Sequence, residues 1–344
     1  MPTGNICAGC GAEIPWDAPE GQCTRCLFNF ALGVETEFQP KGWIGQVAGY
    51  ELIEEMARGG MGIIYRARQI STGEEVAVKM LLPSVVSSEI AKQRFRVEGT
   101  AAATLHHPNI VPIIEVGEHE GHQFYSMKLI HGRNLSDLMN ESAFTREESV
   151  KLIATLACAV HYAHQRGILH RDIKPPNILI DQFRRPFLTD FGLAKVLDES
   201  LDLTRTIAVL GTPSYLAPEQ AKGDSRNVST ASDIYSLGAI LYELLTRRPP
   251  FQAETTYQLL EKVIHQEPVP PERFNAEIDP DLSAICLTCL EKEPEARYLS
   301  AEALGRDLMA YLHFERVSVR HRTFSDQLRR WYRRSRAAVH SIGF

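Results

Sequence analysis

The sequence lacks the long apolar runs and the export signal that membrane and secreted proteins carry. Its 344 residues contain no stretch of about 18 uncharged apolar residues, the length that a membrane-spanning helix needs. The best candidate, residues 234–245, is interrupted by Glu243. Residues 1–11 have neither the basic start nor the apolar core of a secretion signal. We therefore expect a cytoplasmic protein whose seven cysteines are reduced thiols that bind metal or fill a core.

Positive charge is also scarce, except near the C-terminus. The net charge is −6, and Arg25 is the only basic residue between Met1 and Gln39. We expect no nucleic-acid binding, because such binding needs a basic surface. Residues 315–336, by contrast, carry eight arginines against two acidic residues, a local net charge of +6.

Glycines, prolines and apolar spacing divide the chain into parts of different character. Strand-like runs broken by glycine dominate up to about residue 130, and long helical patterns dominate after it. This order predicts an α+β fold with a small strand-rich lobe before a large helical one. The predicted parts are a four-cysteine module (1–32), a linker (33–49), the small lobe (50–130), the large lobe (131–314) and a tail (315–344).

Individual elements follow from the same spacing. Strands are predicted over Ile110–Val116 and Phe124–Ile130. Helices are predicted over Ser87–Leu105, Arg146–Gln165, Thr230–Leu245, Ala253–Ile264, Leu282–Leu290 and Ser300–Phe314. Three further cysteines, Cys158, Cys286 and Cys289, lie within these helices, and we expect them in the core.

A glycine-rich segment, residues 57–65, lies between two predicted strands. Its glycines, Gly59, Gly60 and Gly62, would let the backbone approach a triphosphate with N–H groups turned toward it. Glycine-rich hairpins are common, so an ordinary hairpin remains an alternative interpretation of this segment alone.

Lys79 ends the otherwise apolar run Val76–Lys79. A lysine directed inward from such a strand needs anions beside it, because burying an unpaired charge is costly. The phosphates of a nucleotide and the carboxylate of Glu98, on the following helix, are the candidate anions. A surface lysine on an edge strand is the alternative.

Two further blocks complete a site for phosphoryl transfer. In the segment His170–Asn177, Asp172 would accept the proton of a substrate hydroxyl and Lys174 would neutralise the moving phosphate. Asn177 and Asp190, the latter in Asp-Phe-Gly, would hold Mg²⁺. Both blocks at this spacing are rarely matched by chance.

These residues resemble the eukaryotic-type protein kinases, specifically the bacterial serine/threonine branch, over about residues 50–314. Further similar motifs are Leu105–Val111, Gly211–Glu219, Ser232–Gly238 and Glu293–Arg297. The resemblance implies the bilobal kinase fold, ATP and Mg²⁺ as cofactors, and pairing of Arg297 with Glu219. It implies an ATP site formed by Ala57, Gly59, Gly60, Gly62, Ile64, Ala77, Lys79, Met127, Ile130 and Leu179.

The resemblance also implies an activity, the transfer of the ATP γ-phosphate to protein serine or threonine hydroxyls. Lys174 and Thr212 are the family's markers of serine/threonine rather than tyrosine specificity. A pseudokinase scaffold is the alternative, although the residues that pseudokinases usually lose are all present. A third interpretation, in which the four-cysteine module binds nucleic acid, lacks the basic patch that it needs.

Three positions depart from the family pattern, and one of them, Lys128 in the hinge, should be nearly neutral because only its backbone would touch adenine. Ala57 replaces the first glycine of the glycine-rich loop. Gly99 follows Glu98 inside the predicted helix and costs about 1 kcal/mol of helix stability relative to alanine. We therefore expect this helix to be easily displaced, so that pairing of Lys79 with Glu98 acts as a switch.

Control by phosphorylation is expected in the segment after Asp190. Thr204 and Thr206 lie where related bacterial kinases carry phosphothreonines, and a phosphate there could order the loop against Arg171. Autophosphorylation in trans, through a transient homodimer, would supply it. The alternative is that both are ordinary polar loop residues.

The N-terminal cysteines form two Cys-x-x-Cys pairs, Cys7 with Cys10 and Cys23 with Cys26. Each pair can bind one side of a tetrahedral Zn²⁺, and so short a segment needs bound metal in order to fold. We expect structural zinc; iron is the less favoured alternative.

The basic tail carries aromatic and apolar residues at helical spacing: Phe324, Leu328, Trp331 and Tyr332. A basic amphipathic helix suits an anionic membrane surface, which would place the protein at the inner face of the membrane. A solvated or lobe-docked terminal helix is the alternative.

Overall fold

The computed structural model describes residues 5–6, 13–14, 45–59, 62–82, 89–141, 144–191, 213–224 and 227–319. The chain divides into two compact units, Met1–Gln46 and Val47–Phe344. In the first unit, β1 (Asn5–Ile6) pairs antiparallel with β2 (Glu13–Ile14). The four cysteines that are predicted to bind zinc lie outside the described residues, as do Thr204, Thr206, Thr212 and the basic tail from residue 320.

The strand-rich lobe is a six-stranded sheet with the strand order β3-β4-β5-β6-β8-β7. Its strands are β3 (Gln46–Val47), β4 (Tyr50–Gly59), β5 (Gly62–Gln69), β6 (Glu75–Leu81), β7 (Ile113–His119) and β8 (His122–Lys128). Neighbours from β4 to β7 are antiparallel. The strand predicted over Ile110–Val116 begins three residues later in the structure than predicted. The strand predicted over Phe124–Ile130 begins two residues earlier than predicted.

One helix packs on this sheet. It is α1 (Glu89–Ala103), which confirms the helix predicted over Ser87–Leu105. Phe95 is its main contact: the side chain is fully buried, and its ring centroid lies 6.2 Å from that of Tyr125 on β8. The packing of Phe95 on the sheet decides where Glu98, one turn further along α1, can reach.

The helical lobe follows, after the short strand β9 (Gly132–Asn134). Its helices are α2 (Leu135–Glu141), α3 (Arg146–His164), α4 (Pro218–Ala221), α5 (Thr230–Thr246), α6 (Thr256–His265), α7 (Pro280–Cys289) and α8 (Ala301–Leu312). The predicted helices are confirmed within a few residues. Between α3 and α4, the strands β10 (Ile178–Asp181) and β11 (Pro186–Leu188) form a three-stranded sheet with β9.

The core of the lobe forms around α5, which is buried along most of its length. The burial of α5 in the core explains why residues 234–245 are mostly apolar. In the ranges that the structure describes, no helix is both long and apolar enough to cross a bilayer. Cys286 and Cys289 are fully buried as expected, whereas the prediction for Cys158 is wrong, because this residue lies on an exposed face of α3.

A buried ion pair fastens α4 to the C-terminal part of the lobe. Both guanidinium nitrogens of Arg297 donate to the carboxylate of Glu219 at 2.8 Å, and the hydroxyl of Ser232 donates to the same carboxylate at 2.6 Å. Burial alone would raise the pKa of Glu219, but Arg297 and Ser232 outweigh it and hold the pKa below its usual range. The expected pairing of Arg297 with Glu219 is thus confirmed.

Replacing Arg297 by methionine should lower the free energy of unfolding by about 3–5 kcal/mol at neutral pH, because Glu219 would stay buried without its cation. Urea denaturation measures this loss. Because the folded-state pKa of Glu219 is lowered, the wild-type advantage should be complete above the ordinary glutamate pKa. It should disappear as the pH falls through the folded-state pKa.

The matched control is Arg133→Met, which removes an exposed ion pair with Glu141 and should leave the urea midpoint unchanged. The double variant Glu219→Gln/Arg297→Met should recover part of the loss, since no charge is then left buried alone. An Arg297→Met variant as stable as the wild type would show that the pair does not hold the lobe together.

Candidate active site

The segment His170–Asn177 is held in place by one buried carboxylate, that of Asp233 on α5. Asp233 accepts hydrogen bonds from the backbone N–H groups of His170 at 2.9 Å and Arg171 at 2.8 Å. Its Oδ2 also lies 2.8 Å from Nε2 of His164 at the end of α3. These contacts hold Arg171 in the left-handed region, with a φ of 63°, a conformation that a non-glycine residue adopts only when its surroundings enforce it.

Asp233 remains an anion in this buried position. Burial alone would raise the pKa of Asp233, but its hydrogen bonds with His164 and with the backbone N–H of His170 help to hold that pKa below its usual range. The bond with His164 joins α3 to α5, and the backbone bonds from His170 and Arg171 join the loop to α5. The catalytic segment is preorganised by the core of the helical lobe rather than by its own sequence.

Three of the predicted site residues meet within this segment. Nζ of Lys174 lies 3.0 Å from Oδ2 of Asp172. The side-chain amide of Asn177 donates to the backbone carbonyl of Asp172 at 2.9 Å and to its Oδ2 at 3.0 Å. One carboxylate therefore has a cation and an amide donor beside it.

Asp190 lies next to this segment, two residues after β11. The backbone N–H of Thr189 donates to the carbonyl of Asn177 at 3.0 Å, which joins the two stretches. The following residue, Phe191, is buried, and its ring centroid lies 4.5 Å from that of His170. Asp190 itself has a φ of 62°, so its backbone is fixed in a left-handed conformation.

The carboxylate of Asp190 receives two donors from the strand-rich lobe. Nζ of Lys79 on β6 lies 2.7 Å from its Oδ2, and the hydroxyl of Tyr125 on β8 donates to its Oδ1. Burial alone would raise the pKa of Asp190, but Lys79 and Tyr125 outweigh it and hold the pKa below its usual range. Asp190 is therefore an anion at neutral pH and can bind a cation.

The predicted pairing of Lys79 with Glu98 is not the one in this structure. Among the described residues, Lys79 makes its ion pair with Asp190, and Oε1 of Glu98 lies 3.8 Å from a guanidinium nitrogen of Arg171. Asp190 is the more deeply buried of the two carboxylates, with 17% side-chain exposure against 35% for Glu98. The buried anion gains more from the lysine, because water stabilises the exposed one.

Tyr125 is a site residue that the motifs did not reveal. It carries no motif letter, yet it lies directly opposite Lys79 in the register of β6 and β8. It is also two residues before Met127, so both side chains lie on the same face of β8. The alignment of β6 with β8 was the only signal that could have placed Tyr125 beside Lys79.

The predicted apolar wall of the nucleotide site comes together as one cluster. Ala77 and Met127 are cross-strand partners and are buried. Ile64, Ile130 and Leu179 pack against the same cluster from β5, the lobe connection and β10. Such a wall suits a flat, apolar ring.

The glycine-rich hairpin is described in part. Gly59 pairs with Gly62 and Ala57 with Ile64 across β4 and β5, while Gly60 lies outside the described residues. A Cβ atom on Gly62 would come within 2.3 Å of the carbonyl oxygen of Met80. Glycine is thus required there for close contact with β6. Among the described residues, no atom comes within 4 Å of a Cβ on Gly59, so this position leaves room for a ligand to approach.

The oxygen atoms of Asp190 and Asn177 fit Mg²⁺. The –NH₂ group of Asn177 donates to Asp172, which leaves the amide oxygen as the atom that can bind a metal. Within the described ranges, no cluster of three or more His, Cys, Asp or Glu residues could hold a metal by itself. Mg²⁺ does not need one, because it usually binds through one or two protein oxygens together with substrate phosphates and water.

Known proteins are similar to this chain in sequence. The protein kinase domain family matches residues 50–309, which is most of the chain. The serine/threonine-protein kinase PknB of Mycobacterium leprae is 37% identical over 265 residues, and PknB of Mycobacterium tuberculosis is 38% identical over 266. These alignments cover 76% of this chain but 42% of each relative, so the chain spans about two-fifths of the length of these relatives.

A solved structure gives the same fold. The crystal structure of the Mycobacterium tuberculosis PknI kinase domain superposes with a TM-score of 0.63 at 25% sequence identity. The superposition covers 77% of this chain and 96% of that one. It confirms the expected bilobal fold, with a strand-rich lobe followed by a helical lobe. By its sequence, its fold and the arrangement of its site, this chain belongs to the protein kinase family.

Proposed function

We propose that this chain is a serine/threonine protein kinase that transfers the γ-phosphate of ATP to hydroxyl groups of proteins. The observation that carries the proposal is the convergence of Lys79, Asp172, Lys174, Asn177 and Asp190 on one cleft between the lobes. Serine/threonine specificity rests on Lys174 and on the resemblance at Thr212. The pseudokinase alternative is not favoured, because every one of these groups is present.

Asp172 is the residue that would take the proton from the substrate hydroxyl. Its carboxylate is positioned by Asn177, and Lys174 lies on the same side, 3.0 Å from Oδ2. Lys174 can therefore neutralise the phosphate as it moves toward a hydroxyl that Asp172 holds. Mg²⁺ held by Asn177 and Asp190 would neutralise the remaining phosphate charge.

Lys79 must leave Asp190 before it can bind phosphates. A lysine cannot stay 2.7 Å from the carboxylate that binds Mg²⁺ without repulsion between the two cations. Glu98 would receive Lys79 in the active state, and it would then have to leave Arg171. Gly99, next to Glu98 inside α1, supports such a movement because it weakens the helix at that point.

Phosphorylation of Thr204 and Thr206 would favour this exchange. A phosphate carries a charge of about −1.5 to −2 and would compete with Glu98 for the guanidinium of Arg171. Glu98 would then be free to pair with Lys79. Transfer in trans, within a transient homodimer, would place the first phosphate.

Replacing Asp172 by asparagine should abolish the base while keeping the shape of the site. We expect transfer of labelled γ-phosphate from Mg-ATP to fall by about 10²–10⁴-fold, with the label on serine or threonine in the wild type. Mass mapping of the wild-type product should locate phosphate on Thr204 or Thr206.

The control is Glu147→Gln, which alters an exposed ion pair with Lys151 on α3 and should leave transfer unchanged. Wild-type protein that binds ATP but transfers no phosphate would contradict the proposal. Transfer by an enzyme without phosphate on either threonine would contradict the regulatory part alone.

The N-terminal module is proposed to bind one structural Zn²⁺ through Cys7, Cys10, Cys23 and Cys26. The paired strands β1 and β2 flank the first cysteine pair, which is consistent with a short metal-bound turn. Elemental analysis should find about one zinc ion per chain, and none in a Cys7→Ser/Cys23→Ser variant. Equal zinc in both proteins would refute this assignment.

The basic tail is proposed to contact an anionic membrane surface, which would place the kinase at the inner face of the membrane. Its arginines and aromatic residues support this proposal. The full chain should co-sediment with vesicles that contain phosphatidylserine, and a chain ending at Phe314 should not. Equal co-sedimentation of the two would exclude the tail as the anchor.

A further inference from the structure

The two oxygens of the Asp190 carboxylate have donors of different kinds. Oδ2 accepts from the ammonium group of Lys79 at 2.7 Å, and Oδ1 accepts from the hydroxyl of Tyr125. Both donors come from the same sheet, where Lys79 on β6 and Tyr125 on β8 are direct cross-strand partners. The carboxylate of the helical lobe is thus held by two neighbouring side chains of the strand-rich lobe.

Tyr125 has little freedom to move. Its side chain is buried, with 2% exposure, and its ring lies against Phe95 of α1 at a centroid distance of 6.2 Å. Nζ of Lys79 also lies 5.9 Å from the ring centroid. Because β8 is an interior strand between β6 and β7, its backbone is fixed on both edges as well. The hydroxyl is therefore a rigid donor.

Asp190 is rigid except at its side chain. Its φ of 62° and the packing of Phe191 on His170 fix the backbone on both sides of the carboxyl group. Rotation about the side-chain bonds is what remains, and it decides which oxygen points at a metal. A bond from Tyr125 to Oδ1 removes that rotation.

The charge of each donor decides which one can stay when a metal binds. Lys79 and a divalent cation repel each other, so both cannot occupy Oδ2. Tyr125 is neutral, and a carboxylate oxygen that accepts a hydrogen bond leaves the second oxygen available as a ligand. Metal-binding carboxylates commonly carry such an additional hydrogen bond, and its loss weakens metal binding.

We propose that Tyr125 is a positioning residue for Mg²⁺: its hydroxyl holds Oδ1 of Asp190 and thereby presents Oδ2 to the metal when Lys79 departs. Tyr125 touches neither the metal nor the nucleotide in this arrangement and acts only through Asp190. The inference rests on the proposed function, because it assumes that Asp190 is a Mg²⁺ ligand.

Tyr125→Phe removes the hydroxyl and keeps the ring, so the contact with Phe95 is preserved. The affinity of Mn²⁺ for the protein–ADP complex, measured by electron paramagnetic resonance of the free ion, should fall about tenfold. The Mg²⁺ concentration that gives half-maximal phosphoryl transfer should rise by the same factor. The rate at saturating Mg²⁺ and the affinity for ADP without metal should stay close to those of the wild type.

The matched control is Tyr50→Phe. Tyr50 is a fully buried tyrosine of the same sheet whose hydroxyl contacts Glu115 and Ser126 instead of the cleft. This variant loses a buried hydrogen bond of the same kind, so it reports any general effect on the lobe. Its Mn²⁺ affinity should equal that of the wild type.

Three results would overturn the inference. Unchanged Mn²⁺ affinity in Tyr125→Phe would make the hydroxyl purely structural, and tighter binding would make it a competitor of the metal. In an Asp190→Asn background, Tyr125→Phe should have no further effect on Mn²⁺ affinity; an additional loss there would show that Tyr125 acts elsewhere. Manganese binding is measured without turnover, so a failure of the proposed kinase activity would appear separately, as absent transfer with normal metal binding.

Discussion

The carboxylate of Asp190 is the point on which the rest of the site depends. It belongs to the helical lobe by sequence, but its two hydrogen-bond donors, Lys79 and Tyr125, belong to the sheet of the other lobe. A buried anion requires such partners, because its desolvation would otherwise favour the protonated form. The same requirement that holds the lobes in register also keeps the carboxylate ionised, which is the state that binds a metal. The hydrogen bonds of Asp190 with Lys79 and Tyr125 therefore both join the lobes and keep the carboxylate ready to bind a metal.

The arrangement distributes two cations between two carboxylates. Lys79 pairs with Asp190, and Arg171 pairs with Glu98. In the proposed exchange, Mg²⁺ at Asp190 would release Lys79, and a phosphate on the segment after Asp190 would draw Arg171 away from Glu98. Lys79 and Glu98 would then be free to pair. Asp233 lies outside these two ion pairs and holds the segment His170–Asn177 through the backbone N–H groups of His170 and Arg171.

Much of this could be predicted from the sequence. Motif spacing placed Asp172, Lys174 and Asn177 in one segment, because residues so close in sequence on a tight loop must meet in space. The partner of Lys79 was not predicted, since the motif suggests Glu98, whereas the structure pairs Lys79 with Asp190, a residue 111 positions away in the sequence. Tyr125 was missed because its role comes from strand register, which hydrophobic patterning fixes only within a few residues. Cys158 was misplaced because apolar neighbours on a helix do not reveal which face looks outward.

A crystal structure of the full chain with a non-hydrolysable ATP analogue and Mg²⁺ would show whether Lys79 leaves Asp190 when the metal binds and whether Tyr125 stays. We expect Oδ2 of Asp190 on the metal, Nζ of Lys79 on a phosphate oxygen, and the Tyr125 hydroxyl still within hydrogen-bond distance of Oδ1. A complex in which Lys79 stays on Asp190 while the metal binds elsewhere, or in which Tyr125 has turned away from the carboxylate, would contradict it.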